Sequence, residues 1–344
     1  MKLPQLSRRA LSLSVSALLI ACSGSQPPIG APGAMPQSRA SAIATHAERG
    51  RSWMLPEARS SDLLYATGGC LGSCVFSYPN GKVVGSLTTS GQSVCTDSSG
   101  DIFITQSSQV VEYAHGGTSP IATLSLPGLD AWGCSVDPTT GNLAVVFSGG
   151  IAIFTGASGT PTIYPPNLEG SYCGYDNMGD LFVDGWGSNQ NVALSELPAG
   201  GSSFNVFSID QHVGIPGQIQ WDGSYMTWES SNPQGADTIS RFVTNGSQAT
   251  IVGTTNLKGI KLQPHQSWIY NGVVIVPFAQ HGAKSNEIGI WAYPKGGKAT
   301  ELIRSFGAYN RHKVRFQGLA ISVAPSHYAF FGRHEYANFS PLRP

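Results

Sequence analysis

Three cysteines, Cys95, Cys134 and Cys173, stand 39 residues apart, and each opens the same phrase. Cys95-Thr-Asp97-Ser-Ser-Gly100-Asp-Ile-Phe-Ile104 recurs as Cys134-Ser-Val-Asp137-Pro-Thr-Thr-Gly141, leading into Leu143–Phe147. It recurs again as Cys173-Gly-Tyr-Asp176-Asn-Met-Gly179-Asp-Leu-Phe-Val183. Each phrase is an apolar run, an Asp/Gly turn and a second apolar run, and further short runs follow at Val110–Tyr113, Ile151–Phe154 and Val192–Leu194. A period of about 40 residues holding four short strands is the size of one β-propeller blade.

Extending the pattern gives blades over about 52–87, 90–126, 130–165, 170–209, 216–252 and 259–305. The expected fold is all-β, a propeller of six four-stranded blades, with seven as the alternative count. Ser52–Leu55 reads as the first strand of the first blade, weakly. Leu319–Val323 reads as a C-terminal strand that closes the ring by joining that blade, because an unpaired edge invites association. Tyr328–Phe331 follows, and Ser322–Gly332, which also reads as a strand–turn–strand, is the stretch a seventh, mixed blade would use. Tyrosine–glycine phrases at Tyr78, Tyr113 and Tyr293 mark the turn from third to fourth strand.

The N-terminus reads as an address. Lys2, Arg8 and Arg9 precede an apolar run that ends in Leu19-Ile20-Ala21-Cys22, too short to cross a bilayer as a mature helix. It resembles the lipobox of bacterial lipoprotein signal peptides, which implies a signal peptide over 1–21 and an acylated Cys22. Ser23 after the cysteine resembles sorting to the outer membrane. Residues 22–50, rich in Pro, Gly, Ala and Ser, read as a flexible tether. The propeller takes 51–335, and 336–344 form a tail. In an oxidising compartment Cys70 and Cys74 are close enough for a local disulfide, whereas Cys95, Cys134 and Cys173 read as buried small residues, at least one of them a free thiol.

The inner-strand phrase with Asp97, Asp137 and Asp176, together with the tyrosine–glycine phrases, resembles the NHL and SMP-30-like six-bladed propellers, and more closely secreted bacterial propellers of unassigned activity. The resemblance covers about 52–332. It implies a fold and not a chemistry, since one propeller hosts many functions. SMP-30-like lactonases hold a divalent cation in the central channel; here Glu57, Asp176 and Asp222 are the oxygen ligands that would suit calcium or magnesium. A lyase-like site would draw on His212, His265 and His281. Against both, aspartates 97, 137, 176 and 222 have a simpler role in accepting turn amides. Asp180 and Asp184 share a strand face and read as structural or solvent-facing. No nucleophile elbow, zinc spacing or phosphate loop is present.

Trp132, Trp221 and Trp268 lie near inner strands and are candidate ligand-contacting rim residues; Trp228 and Trp291 read as packing between blades. Between Val83 and Ser240 there are 14 Asp or Glu and no Lys or Arg, whereas Arg241 to the end carries 12 Lys or Arg against 3 acids. That split gives the ring an acidic and a basic arc. The expected protein is therefore a monomeric, non-catalytic binding or scaffolding lipoprotein of the cell envelope. Its expected partners are a protein or glycan and, through its lipid, the bilayer; neither a cofactor nor nucleic acid is expected. A metal-dependent lactonase or hydrolase is the alternative.

Overall fold

The computed structural model describes residues 50–165, 168–188, 191–231, 237–260, 266–278, 287–303 and 316–325. The expected signal peptide, Cys22, most of the tether, His265, His281, Tyr328–Phe331 and the tail lie outside them. Among the described residues, strands group into small antiparallel sheets, the fourth and fifth of which are joined edge to edge by a short parallel pairing of Ser208–Ile209 with Gln248–Ala249, and no helix is long and apolar enough to cross a membrane.

The first sheet holds β1 (Trp53–Met54), β2 (Leu63–Gly69), β3 (Gly72–Ser77) and β4 (Lys82–Leu87). The second holds β5 (Ser93–Thr96), β6 (Ile102–Gln106), β7 (Gln109–Tyr113) and β8 (Pro120–Ser125); the third, β9 (Cys134–Val136), β10 (Leu143–Phe147), β11 (Gly150–Phe154) and β12 (Thr162–Tyr164). The fourth follows with β13 (Glu169–Tyr175), β14 (Leu181–Trp186), β15 (Val192–Leu197) and β16 (Asn205–Ile209), and the fifth with β17 (Ile215–Trp221), β18 (Met226–Ser231), β19 (Asp237–Asn245) and β20 (Gln248–Lys258). In the sixth, β21 (Trp268–Tyr270), β22 (Val273–Phe278) and β23 (Glu287–Ala292) pair in order, β24 (Gly297–Lys298) reaches back to β20, and β25 (Glu301–Ile303) forms the edge. The last strand, β26 (Leu319–Ser322), pairs antiparallel with β2.

The sheets stack face to face in sequence order. One apolar cluster lies between the second and third (Phe103, Val110, Leu143, Val145), another between the fifth and sixth (Ile239, Leu257, Val274, Val276). The last joins the sixth to the first (Ile275, Ile288, Leu64, Phe76), which closes the circle. A middle strand is therefore covered on both faces, and β10, Leu-Ala-Val-Val-Phe, is buried throughout in place of alternating. Outer strands such as β8 and β16 face solvent, and Ile121 and Val206 are exposed there. Each fully buried Trp, Phe or Leu contributes roughly 2–3 kcal/mol through apolar area removed from water.

Two expectations change. Ser52–Leu55 does not supply the inner strand of the first blade. Its core, β1, pairs with β4 at the outer edge, and β26 takes the inner place beside β2. The weak start of that blade has a physical cause: its inner strand comes from the far end of the chain. The cysteine trio is not uniformly free either, since Cys95 and Cys134 are bridged, with Cα atoms 5.8 Å apart. Equivalent residues of adjacent inner strands approach closely where the sheets converge on the axis, so the repeat itself brings them together. Cys173 is a free, buried thiol, and Cys70 is bridged to Cys74.

Candidate functional site

Polar groups tie each inner strand to the next. Thr96 Oγ1 donates to the Ile321 carbonyl, and Tyr175 N–H donates to Ser135 Oγ. Gly217 N–H donates to Asp184 Oδ2. The Gln220 amide exchanges two 2.8 Å bonds with Ile269, and Gln266 N–H donates to the Gln317 carbonyl. The Gln266 side chain crosses farther, accepting from Ser93 Oγ and Val94 N–H at 2.9 Å and donating to the Val94 carbonyl at 2.7 Å. It passes Gly318, where a Cβ would lie 2.8 Å from the Ser93 Cα and 2.5 Å from the Gln266 Oε1, so that position requires glycine. Gln266 fills the axis at that end.

At the opposite end the axis opens. The ends of the inner strands, Thr96, Val136, Tyr175, Gln220 and Trp221, line a cavity of ≈ 270 Å³ together with Asp176, Gln218 and Trp268. Trp221 also lines a second concavity, a groove of ≈ 460 Å³ between the fifth and sixth sheets. Tyr225, Arg241 and Asp222 come to it from the fifth sheet, Tyr270, Asn271 and Tyr293 from the sixth. Tyr293 donates its hydroxyl to Asp222 Oδ2 at 2.5 Å, which fixes the ring; burial and this carboxylate push the phenol pKa up. The Arg241 guanidinium sits 5.8 Å from the Tyr225 ring centroid, a cation–π contact. Burial, then the nearby Asp62 charge, raise the Tyr270 phenol to about 12. Tyr270 and Tyr293 are therefore neutral near pH 7, and with Tyr225 they offer apolar faces and hydroxyl edges.

A concavity of ≈ 490 Å³ on the second sheet is lined by Ser90, Gln92, Gln106, Gln109 and Gln317 among other small polar residues. It has hydroxyls and amides but no aromatic platform. Aromatic and arginine side chains carry most of the energy of recognition surfaces, so the groove is the stronger candidate.

The sequence-derived residues separate. Trp221 and Trp268 line the axial cavity together. Trp132 is 42% exposed on the segment entering β9, its N–H donating to the Val146 carbonyl, and it lines neither the cavity nor the groove. Glu57 is exposed on the 3-10 turn Pro56–Ser60, Asp176 lines the cavity and Asp222 the groove. Asp176 Oδ1 accepts from Met178 N–H and Asp180 N–H, and Asp222 Oδ1 from Ser224 N–H and Tyr225 N–H. Among the described residues no three His, Cys, Asp or Glu side chains converge as a metal cradle. His212 is exposed on the segment before β17.

Sequence reasoning passed over Glu229 and Asp237, and left Asp184 as structural or solvent-facing. Asp184 is fully buried, neither solvent-facing nor at a turn. It accepts from Tyr172 N–H, Gly217 N–H and Trp228 Nε1–H at 2.8–2.9 Å. Burial pushes its carboxyl up to about 8 against the pull of those donors. Glu229 and Asp237 are likewise buried. The available signal was Glu229 inside the apolar run Tyr225-Met-Thr-Trp-Glu, a strand with two covered faces.

No family model matches the chain, and no curated protein matches it. Among solved structures it is similar to a protein of unknown function from Bacteroides caccae, at 13% identity and TM-score 0.54, covering 76% of this chain and 99% of that one. It is also similar to the Cps50 (Swd1) β-propeller domain of Myceliophteria thermophila, at 9% identity and TM-score 0.50, covering 73% and 85%. At these identities the likeness concerns architecture, and with the circle of stacked antiparallel sheets it establishes that the chain folds as a β-propeller.

Proposed function

We propose that this is an exported, lipid-anchored β-propeller that binds a glycan or protein of the cell envelope and catalyses no reaction. The observation that carries the reading is the aromatic wall of the groove, where Trp221, Tyr225, Tyr270 and Tyr293 surround Arg241, Asp222 and Asn271. Flat apolar faces edged by hydroxyl, amide and charged groups suit sugar rings or an extended peptide. Trp221 joins the groove to the axial cavity, so a polymer running along one and ending in the other meets two of the three candidate tryptophans, Trp221 and Trp268.

The two disulfides fit an oxidising compartment, in keeping with export. An acylated Cys22 would hold the domain at a bilayer, most simply the outer membrane, with residues 22–50 as the tether. The domain acts as a monomer, without cofactor or nucleic acid, and its acidic arc orients it at the envelope. The hydrolase alternative asks Glu57, Asp176 and Asp222 to share one cation, and it lacks support from their separate placement and from the turn bonds of the two aspartates.

Trp221→Ala and Tyr270→Ala, each checked for an unchanged fold by circular dichroism, test the reading by co-sedimentation with purified cell-wall sacculi and with outer-membrane protein extracts. The expected outcome is binding by the parent and at least about tenfold weaker binding by both variants, as for hot-spot aromatics. Equal binding by parent and variants would remove the groove from the function.

A further inference from the structure

Two carboxylates lie in the seam between the fifth and sixth sheets without enough donors to meet them. Ile239 stands opposite Glu229 across β18 and β19, and Ser231 stands opposite Asp237, so the acids are diagonal neighbours. Side chains alternate across a strand, which puts both on the face carrying Ile239, the face packed on the sixth sheet. The surroundings are Ile239, Leu257, Val274 and Val276. Glu229 is 1% exposed and Asp237 0%. Ser267 N–H donates to Glu229 Oε2 at 3.1 Å and the Ser267 hydroxyl also bonds Glu229, but among the described residues Glu229 Oε1 and both Asp237 oxygens have no partner. The side-chain oxygen of Gln218 is also buried and unpartnered, and the backbone N–H of Gln218 donates to Glu229.

Burial alone does not account for this, because Asp184 in the neighbouring seam has N–H donors on both of its oxygens. Arg241 shares the face of Glu229, opposite Thr227, but its guanidinium lies over Tyr225. An unpartnered buried carboxylate is costly, and the cost is removed by a proton or by a cation. Burial raises both groups, Asp237 to about 9 with the Glu229 charge adding to it, and Glu229 to about 7. Arg241 Nε is also unpartnered, but the unmet atoms of Glu229, Asp237 and Gln218 are all oxygens, the donor type of a hard cation. Two carboxylates supply its charge, and amide and hydroxyl oxygens complete the shell.

We propose that Glu229 and Asp237, with the buried amide oxygen of Gln218, form a site for a divalent cation of the calcium class that clamps the fifth sheet to the sixth. The proposal stands independently of the ligand read for the groove, although both occupy one seam.

The test uses the full chain stripped with EDTA and titrated with calcium chloride alone at pH 7.5, by calorimetry and thermal melting. One equivalent should bind and raise Tm on the order of 5 °C at a hundredfold excess over Kd. Glu229→Gln and Asp237→Asn should each abolish the response. Terbium emission sensitised by Trp291, which packs in the same cluster, gives a readout on the parent protein that needs no variant. Calcium binding lost in either variant, or terbium emission displaced by calcium, supports the site. The absence of heat, Tm shift and terbium emission in the parent overturns it, as does a calcium response undiminished in the double variant.

Discussion

The seam between the second and third sheets and the seam between the fifth and sixth occupy equivalent places in the ring, yet they are held differently. The former packs Phe103, Val110, Leu143 and Phe154 and is tied near the axis by Cys95–Cys134. The latter packs an apolar cluster of similar kind but carries Glu229 and Asp237 inside it, has the Gln220–Ile269 exchange near the axis, and opens into the aromatic groove. Packing alone would favour apolar residues at both, so the polar seam has accepted a stability cost that the other avoids. Such departures from consistent packing concentrate where a protein binds something.

The largest expected effect is on the crosslinked seam. Replacing Cys95 and Cys134 by serine together releases a loop of 39 residues and should cost about 3–4 kcal/mol, read from urea unfolding. A double variant that unfolds at the parent's midpoint would erase the contrast between the seams.

Next in size is a gain. In cation-free buffer Asp237→Asn should stabilise by about 2 kcal/mol at pH 8, since replacing an uncompensated buried acid is commonly favourable. The sign follows from linkage. The carboxyls of Glu229, Asp184 and Asp237 have folded pKa values raised to about 7, 8 and 9, so the fold holds protons that the unfolded chain has released. Their contribution is full below the ordinary carboxylate range and is lost as pH rises toward 9. Melts from pH 5 to 9 should fall in the parent and fall less in Asp237→Asn, and calcium should flatten the parent's curve. A parent whose stability is level over that range contradicts the assignment.

A smaller loss comes from Trp228→Phe, which keeps the ring packing and removes one of three donors to Asp184. About 1–2 kcal/mol should disappear in thermal melts. If Trp228→Phe is neutral, the fourth–fifth seam does not depend on that bond. Least of all, Tyr225→Ala should change stability by about 0.5 kcal/mol, its exposed contact with Arg241 being weak. A larger change would make the groove wall part of the core.

How far the sequence could be read follows from where each signal lies. Cys95, Cys134 and Cys173 marked the inner strands, and Asp97, Asp137 and Asp176 marked turns where they now accept amides at i+2. Those are local features, repeated within about 40 residues. The pairing of Leu63–Ala66 with Leu319–Ser322 spans nearly the whole domain, and its strand was legible as the one that closes the ring; what had no local signal was that Ser52–Leu55 yields the inner place and pairs at the outer edge. Trp221 and Trp268 were legible as candidates because they stand by inner strands; Tyr270 and Tyr293 were not, because their function depends on two sheets meeting. Glu229 and Asp237 escaped notice for the same reason, and Asp184 was left between a structural and a solvent-facing role. In a stacked sheet both faces of a middle strand are covered, so alternation ceases to report exposure and cannot separate a structural from a solvent-facing Asp184, which faces Trp228.

The central claim is that the open axial end and the groove beside it form the binding surface. Hydrogen exchange by mass spectrometry, on the purified chain with and without solubilised cell-wall fragments and outer-membrane protein extract, tests it most directly. The account predicts slowed exchange confined to the segments around 219–226, 268–273 and 291–296. Protection centred on Gln106–Gln109 and Gln317, or no protection anywhere, would contradict it.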